Sequence, residues 1–220
     1  QNQRKTNFEH KIFFSIVIPL YMTNKEYLKE MINSICAQTY GNWELCLADG
    51  SGKNSPLTDI LEDYTKKDTR IRFCTLEENL GISGNSNRAL QAAKGAYVAL
   101  LDHDDVLTED ALYWVVDALQ RERYDVVYSD EDRMAENGSH YLEPRFKPEF
   151  DIDLLRAYNY ISHLFVARRE LMLADGGFHS QYDGAQGYDM ILRCCEGNRE
   201  ICHIPRVLYH KRIHDGTSSE

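Results

Sequence analysis

Between residues 12 and 121, short apolar runs alternate four times with segments of helical periodicity, and this alternation limits the chain to very few architectures. Residues 12–20 (IFFSIVIPL) form a β-branched run closed by Pro19, the signature of a buried strand ending at a turn. Across 24–38 the apolar positions Tyr27, Leu28, Met31, Ile32 and Ile35 recur at helical spacing, with Asn24 as the cap. A second strand, 43–48, stops at the glycine-rich turn Asp49-Gly50-Ser51-Gly52. Helix 56–66, strand 70–76, helix 83–93, strand 96–101 and helix 108–121 follow. Strands and helices alternating at these lengths imply βαβ units, so the fold class is α/β with a mostly parallel central sheet flanked by helices.

Beyond residue 121 the order loosens. A strand is expected at 125–128, a charge-rich stretch with two prolines at 130–150, a short helix at 152–157 and a strand at 161–167. Helices at 168–174 and 186–196 flank a loop, and 201–209 is strand-like. The first half reads as a nucleotide-binding layer and the second as the part that shapes a site over it.

Composition narrows the function. A formal charge of -10 argues against the basic surface that supplies most affinity for a nucleic-acid backbone, so no nucleic-acid partner is expected. The six cysteines show no paired Cys-x-x-Cys spacing and read as reduced thiols of a cytoplasmic protein. No apolar run is long enough to span a bilayer. The polar opening, residues 1–11, begins with Gln1 and reads as a linker or a remnant of a longer protein, which leaves room for a membrane anchor or second domain elsewhere.

In an open parallel sheet, ligands bind beyond the carboxyl ends of the strands. The strongest feature there is Asp102-His103-Asp104-Asp105, three aspartates within four residues directly after the strand AYVALL. Carboxylates this close repel one another unless a cation or a raised pKa relieves them. A hard divalent metal, Mn2+ or Mg2+, fits that need; a solvated turn capping the next helix is the bland alternative. Ser129-Asp130-Glu131-Asp132 either lines a sugar pocket or is a solvated loop. In Tyr209-His210-Lys211-Arg212-Ile213-His214, alternation sets His210, Arg212 and His214 on one face, suited to a diphosphate or a metal.

Seven ordered segments, FFSIVIPLY, WELCLADGS, ENLGISGNSNRAL, GAYVALLDHDD, YSDED, FKPEFDIDLL and VLYHKRIHDGTS, resemble the motifs of the family-two inverting glycosyltransferases, from about Phe13 to about Ser218. The likeness is strongest to the bacterial branch that builds O-antigen, rhamnan and other surface polysaccharides. It implies a GT-A fold, a Rossmann-like sheet with a C-terminal acceptor-side extension. Residues 12–220 would then form one domain, with a nucleotide-binding half at 12–107 and an acceptor and catalytic half at 108–220. The implied donor is a UDP- or dTDP-sugar, and the acceptor a saccharide or lipid-linked saccharide at the inner membrane face. By position, Pro19, Tyr21 and Asp49 would hold the base, while Asn79, Gly81 and Asn85 would approach the nucleotide. Asp102 would meet the ribose or a metal-bound water, Asp104 the metal, and Arg212 and His214 the diphosphate or metal. Asp130, Glu131, Gln186 and Gly187 would face sugar or acceptor.

One position departs from the family. The base is usually the Asp of a pattern like Gln-Asp-Tyr-Asp, whereas this chain reads Gln186-Gly187-Tyr188-Asp189. Asp189 or Asp183 acts instead, or the chain binds donor and transfers poorly, or Gly187 is an introduced substitution. Two helical residues span about 200°, which turns Asp189 away if position 187 faces the site and favours Asp183 in the preceding loop. Competing folds fit less well. A nucleotidyltransferase needs a glycine-rich basic loop after its first strand, where this chain has LYMTNK, and a NAD-binding domain needs the absent G-x-G-x-x-G.

Overall fold

The computed structural model describes residues 2–214; Asp215 to Ser218, the end of the last sequence motif, lie outside the described residues. The first four strands are β1 (Phe14–Leu20), β2 (Trp43–Asp49), β3 (Ile71–Thr75) and β4 (Tyr97–Leu100). They pair in parallel in the order β3-β2-β1-β4. The chain builds outward from β1 through β2 to β3, then crosses back to place β4 on the other side of β1. A gap between connections therefore opens above β1 and β4, at their carboxyl ends, which is where such sheets bind ligands.

Side-chain alternation assigns each strand residue to one of two cores. Ile16 and Ile18 of β1 face α1 (Lys25–Cys36), α2 (Thr58–Lys67) and α4 (Ala111–Arg121). Val17 of the same strand faces α3 (Gly81–Ala92), α5 (Ile152–Ala157), α6 (Arg169–Leu173) and α7 (Gln186–Cys195). The helix α1 begins where the Asn24 side chain accepts from the Glu26 amide at 2.8 Å, and it buries Leu28, Met31, Ile32 and Ile35 along one stripe. Each such aliphatic side chain stabilises the fold by about 1.5–3 kcal/mol.

The second half is mixed rather than parallel. The strand β8 (Phe165–Arg168) lies antiparallel between β4 and β6 (Val126–Met134), and β6 pairs in parallel with β9 (Ile201–Arg212). Two further strands, β5 (Val106–Leu107) and β7 (Tyr141–Arg145), pair antiparallel with β9 and β6. The parallel expectation thus describes β1 to β4 and the β6–β9 pair; hydrophobic period reveals a strand but not its direction. The charge-rich stretch after residue 128 is not a loop at its start, because β6 runs through Ser129 to Asp132, all four buried. All six cysteines are free thiols. No helix among the described residues is long and apolar enough to cross a membrane.

Candidate functional site

A cleft of about 430 Å³ opens at the carboxyl ends of β1 and β4. One wall is Pro19, Leu20 and Tyr21 at the end of β1, and the opposite wall is Asp102, His103 and Asp104 beyond β4. Asn79, Ile82 and Asn85 from the start of α3, and Gln186 from the start of α7, complete it. A larger cavity of about 600 Å³, lined by Tyr97, Leu119 and Arg168 among others, lies at the amino end of β4, away from these residues.

The α3 corner is built by close packing. Asn79 Oδ1 accepts from the Gly81 amide at 3.1 Å and from Asn85 Nδ2 at 3.0 Å, while Asn85 Oδ1 accepts from the Leu80 amide at 3.2 Å. Gly81 has φ of +75°, which glycine adopts without strain. A Cβ on Gly50 would lie 2.4 Å from Asn85 Nδ2, so the turn after β2 also needs glycine. Asp49 is fully buried beneath this corner, accepting from the Ser51 amide at 2.9 Å and from the Ser55 hydroxyl. It holds the turn that follows β2 and does not line the cleft.

The aspartates after β4 have three different environments. Asp104 Oδ2 lies 2.5 Å from His214 Nε2. Asp102 Oδ2 lies 3.3 Å from His163 Nε2; burial acts to raise the Asp102 carboxyl, but His163, Lys211 and His103 outweigh it and hold it well below the ordinary range. Asp105 is buried, accepting from the Tyr209 hydroxyl at 2.5 Å and the Arg212 amide at 2.7 Å. Burial, with the charges of Asp102 and Asp104 adding, pushes its carboxyl up to about 7. Two of the three aspartates thus face histidines, and burial raises the carboxyl of the third, which together ease the mutual repulsion inferred from the sequence.

Several expected roles change. The Arg212 guanidinium is fully buried: it donates to the Asp104 carbonyl at 2.7 Å, to the Glu136 carbonyl and to Glu30, and it stacks on Tyr27 at 4.3 Å. It braces the Asp104 loop instead of facing a diphosphate. Asp130 and Glu131 face inward from β6, with Asp130 on His203 at 2.8 Å and Glu131 on Lys147 at 3.2 Å, so neither is free to meet a sugar. Asp132 pairs with His210 at 2.5 Å, which likewise takes His210 away from any ligand. Asp189 is ion-paired to Arg193 at 2.8 Å and faces His179 at 3.4 Å, which removes it as a base. Asp183 is exposed at the start of α3, where Oδ1 accepts from the Ser83 amide at 3.3 Å. Gly187 has open space where a side chain would stand, next to the cleft residue Gln186.

For a divalent cation, the observation that bears is the Asp104–His214 pair: a carboxylate oxygen at the cleft hydrogen-bonded to an imidazole nitrogen, donor types that suit a hard metal completed by phosphate oxygens once their mutual hydrogen bond opens. Asp102 turns to His163 and is not part of that pair. Among the described residues no group of three or more His, Cys, Asp or Glu side chains is assembled for a metal.

Sequence reasoning gave no role to Tyr209, which hydrogen-bonds Asp105, and missed His163, which faces Asp102, and Lys147, which holds the His163 main chain. The available signal was a histidine interrupting the apolar run ISHLFVA. Lys211, which the sequence groups with the cations of the Tyr209–His214 segment, is exposed on β9 and near enough to Asp102 for its charge to act there.

A family model described as glycosyl transferase family 2 matches residues 15–173, most of the chain. The chain belongs to glycosyl transferase family 2. An uncharacterized protein of Sinorhizobium fredii is 43% identical to this family-2 chain over 208 residues, covering 93% of the chain and 23% of the relative. The O-antigen biosynthesis protein RfbC of Myxococcus xanthus is 35% identical over 199 residues, covering 90% of the chain and 16% of the relative. The chain therefore spans under a quarter of the length of these relatives. A crystal structure of S. aureus TarS in complex with UDP superimposes with a TM-score of 0.74 at 22% identity, over 92% of this chain and 61% of that one. The family-2 chain thus has the GT-A architecture, with β3-β2-β1-β4 as its Rossmann-like part.

Proposed function

We propose that the chain transfers a sugar from a nucleoside-diphosphate donor, UDP- or dTDP-linked, to a saccharide or lipid-linked saccharide with inversion, in cell-surface polysaccharide synthesis on the cytoplasmic side of the membrane. The observation that carries this reading is the cleft at the β1/β4 switch point, walled by Tyr21 and Pro19 on one side and Asp102 to Asp104 on the other. The names of the relatives support it: RfbC is an O-antigen biosynthesis protein, and TarS was crystallised with UDP and with UDP-GlcNAc.

In this reading the base lies against Pro19 and the exposed Tyr21 ring, and the α3 corner approaches the ribose. Asp104 and His214 would hold Mn2+ or Mg2+, which when bound neutralises charge on the diphosphate. Lys211, exposed on β9 and near enough to Asp102 for its charge to act there, would supply the cation for the leaving group in place of Arg212. Arg212 keeps Asp104 in place through its main chain. The acceptor hydroxyl needs a carboxylate to take its proton. Asp183 Oδ2 is the remaining candidate beside the cleft.

A second reading, a domain that binds donor but transfers poorly, is favoured by one observation: Gly187 leaves empty space where the family sets its base. Incubation with a panel of UDP- and dTDP-sugars, Mn2+ and oligosaccharide acceptors, followed by NMR of the product anomer, tests both. An inverted product supports transfer. Donor affinity with no product supports the second reading, and no affinity for any donor refutes both.

A further inference from the structure

We propose that His163 is the positioning residue of the donor cleft, fixing the Asp102 carboxylate in the one orientation that the donor meets; this rests on the donor reading above. His163 lies in the segment between α5 and β8, far in sequence from every residue of the cleft. Its Nε2 is 3.3 Å from Asp102 Oδ2, and 48% of the Asp102 side chain remains exposed toward the cleft. One oxygen is thus anchored from behind while the carboxylate still presents itself to a ligand.

The imidazole is stacked on one face and its main chain is tied down, while its buried Nδ1 makes no hydrogen bond among the described residues. Its ring lies nearly parallel to that of Tyr209, with centroids 4.7 Å apart and planes 11° apart. The Tyr209 hydroxyl donates to Asp105 and accepts from the Asp102 amide at 3.3 Å, so the stack and the aspartate loop share one frame. The His163 amide donates to Glu131 Oε2 at 3.1 Å. The Lys147 ammonium donates to the His163 carbonyl, to the Ile161 carbonyl at 2.6 Å and to Glu131 at 3.2 Å. The Lys147 and Glu131 side chains are only 4% and 3% exposed.

Desolvating a lysine–glutamate pair is costly. Here its hydrogen bonds fall on the main chain at and beside a single histidine, and that histidine makes its own side-chain contact with Asp102. The arrangement matters because the Asp102 side chain is half exposed at the cleft, and without the His163 contact its carboxylate would be free to turn. A donor would then have to restore its orientation on binding, at a cost in affinity that anchoring removes.

The test is calorimetric titration of UDP with Mn2+ into the parent chain, His163→Gln and His163→Leu, each alone and combined with Asp102→Asn, with thermal melts as the control for folding. Glutamine keeps a side-chain N–H donor at about the reach of Nε2, leucine has none, and both lose the stack on Tyr209. We expect His163→Leu to weaken UDP binding about tenfold or more, the worth of a hydrogen bond to a charged group, and His163→Gln to stay within about threefold of the parent. In the Asp102→Asn background the leucine variant should cost less than about twofold, because the charged group it positions is gone. If His163→Leu does not fold, His163→Asn, whose amide is too short to reach Asp102, takes its place. Equal losses for Gln and Leu, or a loss undiminished in Asp102→Asn, overturn the positioning role alone. A folded parent that binds no UDP overturns the donor reading, and this role with it.

Discussion

His214 Nε2 lies 2.5 Å from Asp104 Oδ2, joining the last described residue of the chain to the loop after β4. Their proximity is maintained from behind by Arg212, two residues before His214, which donates to the Asp104 carbonyl at 2.7 Å. If this pair holds the divalent cation, His214→Ala should lower Mn2+ affinity in the presence of UDP by tenfold or more. The decrease would appear in electron paramagnetic resonance as free Mn2+ at concentrations where the parent shows none. Unchanged Mn2+ binding would remove His214 from the metal site and leave Asp104 without its imidazole partner there.

Position 187 tests the missing base. A Cβ there meets nothing within 4 Å, so Gly187→Asp enters without a clash. It is also the second residue of α7, where an acidic side chain favours the helix dipole and replaces a poor helix former. The variant should gain on the order of 0.5–1 kcal/mol of stability. If a general base is what the chain lacks, transfer should rise by roughly 100-fold or more with UDP affinity within about twofold of the parent. A more stable variant with no faster transfer would mean that Asp183 already serves, or that acceptor binding limits the rate.

The regular part of this fold is written plainly in the residues. Segments such as FSIVIPL, WELCLAD and YVAL are apolar on both faces and bounded by turn residues, and each forms the strand its pattern implies. The helix over Lys25–Cys36 begins at Asn24 for the capping reason visible in the sequence. Two strands were hidden: Val106–Leu107 is too short for any period, and Tyr141–Arg145 is exposed at every position. Ser129 to Asp132 misled because charge normally marks a loop, yet these carboxylates are matched by Lys147, His203 and His210 from distant segments. Of the candidate site, the residues at strand ends were legible because topology alone gathers them. What could not be read was which charges are spent on each other: Arg212, Asp130 and Asp189 look available until their partners are known.

The buried thiols predict an alkaline weakness. Burial pushes the thiols of Cys46 and Cys194 up to about 12 and raises Cys195 well above the ordinary range, with Glu44 adding at Cys46 and Cys194 adding at Cys195. In the unfolded chain these groups lose their protons near pH 8.5, so above that pH the folded state binds more protons and stability falls as pH rises. Each thiol contributes a slope of about 1.4 kcal/mol per pH unit between its unfolded and folded values. Lys147, lowered by burial against the opposing pull of Glu131, acts in the opposite sense, so the difference between two proteins is the useful readout. Urea unfolding at pH 8, 9 and 10 should show a shallower decline for Cys194→Ala than for the parent, even though the variant starts less stable. Parallel declines would mean that the Cys194 thiol ionises in the folded state.

The central claim is that the cleft above β1 and β4 binds a nucleoside diphosphate through Asp104. Calorimetric titration of UDP into the parent and into Asp104→Ala, each with and without Mn2+, addresses it most directly. Mn2+-dependent binding is expected for the parent, and Asp104→Ala should abolish it while remaining folded. UDP binding of equal strength in the two proteins would contradict it.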